Sequence, residues 1–68
     1  MINIIINNVD NNPRIFLSFE KEIDRDKLIN ELENYHDLEL ATIIADEIIH
    51  VGEYTVNNPC NTTYTAVA

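Results

Sequence analysis

At 68 residues the chain is long enough for one domain, 1–68, close to the lower limit for a self-sufficient core, and its apolar content of 46% is that of a globular chain, not a disordered tail. Twelve acidic residues against four basic ones give a formal charge of −8, which opposes direct contact with nucleic-acid phosphates or an anionic membrane and favours basic partners. The only cysteine, Cys60, excludes an intrachain disulfide, and no Cys/His cluster offers a structural zinc site.

The first segment alternates Ile2, Ile4 and Ile6 with Asn3 and Asn7, the period of a strand with one apolar face. A dense turn signal, Asp10-Asn11-Asn12-Pro13, follows. Arg14–Glu20 reads as a second strand, with Ile15, Leu17 and Phe19 on one face and Arg14, Phe16, Ser18 and Glu20 on the other. The pair is expected to form an antiparallel hairpin.

Asp24 suits a helix N-cap, with Ile23 and Leu28 placed as a hydrophobic staple around it. The helix it opens is predicted to run to about Tyr35, with Leu28, Ile29, Leu32 and Tyr35 as its apolar stripe. Asp37 caps a second helix over Leu38–Val51. At 100° per residue Glu39, Thr42, Asp46, Glu47 and His50 fall in one sector, apolar residues fill the rest, and Ile43 alone intrudes on the polar side. Two helices joined so tightly favour an antiparallel αα-hairpin. Gly52, the only glycine, fits the left-handed position that stops a helix. Glu53–Val56 and Thr62–Val67 read as two further strands around the turn cluster Asn57-Asn58-Pro59-Cys60-Asn61.

The expected fold is α+β: a four-stranded antiparallel sheet with the αα-hairpin on one face, in the order ββααββ. A competing order, ββαβββ, turns the β-branched runs Thr42–Ile44 and Ile48–Val51 into a hairpin; its alternation is poorer than the helical wheel.

No stretch forms a catalytic motif. Asn8–Asn12 invites a calcium-loop reading, but Pro13 and Phe19 stand where glycine and a bidentate glutamate are needed. Glu47-Ile48-Ile49-His50 has the Glu-x-x-His spacing of di-iron bundles without the second pair such sites require. Cys60 has no cation near it in sequence to lower its pKa. The expectation is therefore a non-enzyme without metal or cofactor. The longest apolar runs are only a few residues, and the N-terminal MINIIINN lacks the cationic and apolar regions of a signal peptide, so a cytoplasmic location is expected, that of the bacterial host if the chain is phage-encoded.

All four Lys and Arg residues lie within the first 27 positions, while seven acids follow from Leu28 onward: Glu31, Glu33, Asp37, Glu39, Asp46, Glu47 and Glu53. Carboxylates arrayed on adjacent helices approach the spacing of phosphates along a nucleic-acid strand. Small size, acidity, Asn/Ile-rich composition and the lack of catalytic groups resemble phage or mobile-element anti-defence proteins, including anti-CRISPRs and inhibitors of DNA enzymes. Ala45-Asp46-Glu47-Ile48-Ile49 resembles a short helical run of phage uracil-DNA glycosylase inhibitors, a likeness of five residues from which no role is carried over. The resemblance of character implies an inhibitor that offers those seven acids to the basic, nucleic-acid-binding surface of a target protein. The alternative is a small homodimeric adaptor or antitoxin-like domain that associates through an apolar sheet face carrying Ile5, Phe16, Tyr54 and Tyr64.

Overall fold

The computed structural model describes residues 1–8, 10–57 and 61–68. The order is ββααββ: β1 (Ile2–Asn7), β2 (Arg14–Phe19), α1 (Arg25–Leu32), α2 (Leu38–His50), β3 (Glu53–Val56) and β4 (Thr62–Val67). All strand pairs are antiparallel and the sheet runs β2-β1-β4-β3, so the first and last strands pair at its centre. Residues 38–50 are helical, which settles the choice against ββαβββ. The turn around Asn58, Pro59 and Cys60 lies outside the described residues, as does Val9 of the calcium-loop reading.

The helices begin at their expected caps. The Asp24 carboxylate accepts from the Lys27 amide at 3.3 Å and that of Asp37 from the Leu40 amide at 2.8 Å. Ile23 packs against the core cluster that contains the fully buried Leu28. Gly52 stops α2 with φ +100, and its carbonyl then accepts from the Ala66 amide at 2.8 Å, joining the helix end to the sheet. The end of α1 differs from expectation. The helix stops at Leu32, and Glu33–His36 form a turn in which the Tyr35 and His36 amides both donate to the Leu32 carbonyl at 3.0 Å. Tyr35 thus leaves the helical stripe and stands exposed.

One core joins both helices to one sheet face. Ile4, Phe19, Val56 and Tyr64 come from the strands, Leu28, Ile29 and Leu32 from α1, and Ala41, Ile44, Ala45 and Ile48 from α2. Each large apolar side chain buried there contributes about 1.5–3 kcal/mol relative to exposure. The apolar back of α2 is narrower than the helical wheel implied: Leu38, Ile49 and Val51 remain exposed beside the buried stripe, while Ile43, on the polar side, is exposed as the wheel placed it.

A β-bulge changes the faces of β2. Ile4 pairs with Leu17, but Ile5 pairs with Ile15, so Phe16 is an extra residue without a partner on β1. The pleat reverses there. Leu17 and Phe19 face the helices as expected, whereas Ile15 joins Ile5 on the opposite face and Phe16 turns in against the core. This corrects the sequence-based division of β2 into two alternating faces. It also corrects the composition of the open face: Tyr64 is fully buried under the helices, and Phe16 and Tyr54 pack on that same side. The open face instead carries Asn3, Ser18, Thr55, Thr63 and Thr65 around Ile5 and Ile15, with Ser18 donating to Asn3 at 2.6 Å and Thr55 hydrogen-bonded to Thr63 at 3.1 Å.

Candidate functional site

Charge and fold are unevenly matched. The helical layer, residues 24–51, carries eight acids and two basic residues, while the four strands together carry only Arg14 and Glu53. The molecule therefore has an acidic side and a nearly neutral sheet side.

The seven acids singled out from sequence do not form one continuous front. Glu33, Asp37 and Glu39 gather at the turn between the helices: Glu33 caps the end of α1, Asp37 caps the start of α2, and Glu39 is exposed in the first turn of α2. Glu31 lies half-buried in the last turn of α1. Asp46 and Glu47 stand near the far end of α2, both half-buried. Glu53 is separate. It pairs with Thr65 on β3, and the alternation that turns Tyr54 toward the core turns Glu53 to the opposite sheet face.

Two of the seven already have work inside the fold. Asp37 is committed to the N-cap bond. Asp46 is held by Arg25 through two bonds, Nε to Oδ1 at 2.7 Å and Nη2 to Oδ2 at 3.3 Å, which tie the start of α1 to the end of α2. The hydrogen bond from Arg25 lowers the Asp46 carboxyl pKa below its ordinary value and raises that of the guanidinium. Sequence reading placed Arg25 among N-terminal basic residues and missed this partner, 21 positions away. Glu31, Glu33, Glu39, Glu47 and Glu53 are the acids of the set whose carboxylates have no bond among the described residues. His50, on the same stripe, donates from Nδ1 to the Asp46 carbonyl at 2.8 Å and so closes the last turn of α2.

A second feature was not visible in the sequence. Beside the bulge, β1, β2 and β4 meet the inter-helix turn around a cleft of about 440 Å³. Phe16, Tyr35 and Tyr64 give it aromatic side chains, Ile6 and Ile15 apolar ones, and Asn8, Arg14, His36 and Thr62 polar ones. Phe16 stands edge-on to Tyr64 at 5.4 Å and tilted toward Tyr35 at 5.9 Å. Within the lining, His36 Nε2 and the Tyr64 hydroxyl are hydrogen-bonded at 2.9 Å. Burial lowers the His36 pKa and pushes the Tyr64 hydroxyl up to about 12, so both are neutral at physiological pH.

Among the described residues no group of three or more His, Cys, Asp or Glu side chains is placed to hold a metal ion, and no helix is long and apolar enough to cross a membrane. No protein-family model, curated protein or solved structure matches this chain.

Proposed function

We propose that this chain is a small, non-enzymatic inhibitor that presents its helical layer to the basic, nucleic-acid-binding surface of a target protein, in the manner of phage or mobile-element anti-defence proteins. The segregation of charge carries this reading: eight acids and two basic residues in the helical layer, over a sheet almost free of charge. A one-sided field of this kind steers the acidic side toward a cationic groove and accelerates encounter at low ionic strength. Carboxylates held on rigid helices lose little freedom on binding, and those without bonds in the fold can pair with partner Lys and Arg at no cost to the chain's own structure.

Glu39 and Glu47 are the contact residues on α2, with Glu31 and Glu33 extending the surface onto α1. Asp37 and Asp46 contribute field, while their carboxylates stay with the α2 cap and with Arg25. Immobilised chain and its Glu39→Lys/Glu47→Lys variant, each incubated with bacterial lysate at low and high salt, test the proposal. Nucleic-acid-binding proteins retained by the parent at low salt, and released by salt or by the double substitution, are expected. Retention of the same proteins by both chains at both salt levels would overturn it.

A further inference from the structure

In this acidic molecule the cleft beside the bulge has a wall that carries a cation and no carboxylate: Arg14 lines it, and no Asp or Glu does. Arg14 is loosely held. Its Nη1 lies 3.8 Å from Asp10, with both side chains about half exposed, and it makes no hydrogen bond among the described residues. At about 440 Å³ the cleft falls within the size range of small-molecule sites. Its walls are those of an aromatic-ring pocket: Phe16 and Tyr35 already stand tilted to each other, Phe16 and Tyr64 pack as a T-shaped pair, and the exposed ring of Tyr35 leaves an aromatic surface open. Of the polar groups that line it, His36 and Tyr64 satisfy each other and Asn8 accepts from Thr62 at 3.0 Å. That leaves the forked guanidinium, held only by its 3.8 Å ion pair with Asp10, as the charged donor lining the cleft, and a carboxylate is the anion whose two oxygens match it.

We propose that this cleft binds a small aromatic carboxylate, its ring against Phe16 and Tyr35 and its carboxylate on Arg14. The site is separate from the acidic helical surface. None of the seven acids lines it, so it stands or falls independently of the proposed inhibitory role.

A ¹H–¹⁵N correlation titration of the whole chain tests it, with benzoate, benzyl alcohol, benzylammonium and inorganic phosphate as probes. Benzoate is expected to shift the Arg14, Phe16, Tyr35 and His36 amides saturably, more strongly than any other probe. Arg14→Gln is expected to weaken benzoate about tenfold, the loss of one charge-assisted pairing, while leaving benzyl alcohol unchanged. Arg14 is exposed, so the dispersion of distant amides in the variant reports that the fold is retained. Equal response to benzoate and benzylammonium, an equal response to phosphate, or benzoate binding indifferent to Arg14→Gln would each overturn the proposal.

Discussion

His36 and Tyr64 lie 28 positions apart and are joined by a 2.9 Å hydrogen bond, which fastens the turn between the two helices to the strand at the centre of the sheet. The bond satisfies a hydroxyl that is almost wholly buried. Tyr64→Phe removes it while keeping the ring in place against Phe16. The expected loss is about 1 kcal/mol, measured by urea unfolding, with an unchanged m-value.

The same pair gives the fold a pH dependence. Burial holds the folded-state pKa of His36 below its ordinary value of 6.5, outweighing the opposing field of Asp37. The unfolded chain therefore takes up a proton that the folded chain does not. Stability is complete above about pH 6.5 and declines as pH falls from there toward the lower folded-state value. Urea midpoints across pH 5 to 8 are expected to show this slope in the parent chain and to lose it in His36→Gln. An equal slope in both would assign it to the carboxylates.

Gly52 is held by backbone geometry and not by space. Beyond its own chain neighbours no atom lies within 4 Å of where a Cβ would stand, yet its φ is +100. Gly52→Ala is therefore expected to cost about 1 kcal/mol from backbone strain alone, seen as a lower melting temperature with no change in sheet signature by circular dichroism.

The helix caps were legible because each is a local signal: Asp24, Asp37 and Gly52 act on residues within a turn of themselves. The order ββααββ followed from them and from the alternation of β1. The bulge was not legible. Ile15, Phe16 and Leu17 are all apolar, so neither alternating nor shifted pairing leaves a mark in the sequence, and the choice is made by β1, whose Ile4 and Ile5 pair on either side of the extra residue. The cleft was hidden for the same reason, since it exists only once the bulge turns Phe16 inward and β4 brings Tyr64 beside His36. Arg14, the one basic residue in a strand, was the only hint of it. The acidic character of the helical layer was legible as composition, but the loss of Asp46 to Arg25 and of Glu53 to the far sheet face depends on contacts between elements.

The bulge itself can be tested through Phe16. Its ring rests on Tyr64 and Tyr35, and it packs against the core while remaining partly accessible. Phe16→Ala is expected to cost about 2–3 kcal/mol, less than a fully buried phenylalanine, because part of the ring already meets solvent. Ile15→Ala, one position away on the open face and 63% exposed, is expected to cost well under that. Equal losses at the two positions would mean that β2 pairs without the bulge.

Arg25 joins the energetics of the fold to those of the acidic surface. Its bonds hold the Asp46 carboxyl pKa below the ordinary value, so their contribution is present above the unfolded value and is lost as pH falls through the folded one. Arg25→Gln removes a positive charge from the helical layer and frees Asp46 for a partner. Carbon-detected titration is expected to show the Asp46 pKa returning toward its ordinary value. Both side chains are about half exposed and screened by solvent, so the melting temperature should move little. If the helical layer binds a basic surface, association of the variant with that partner should be faster than that of the parent at low salt, and the two rates should converge as salt rises. A slower variant would show that Arg25 and Asp46 act on the partner as an intact pair, and that the free carboxylates alone do not set the encounter.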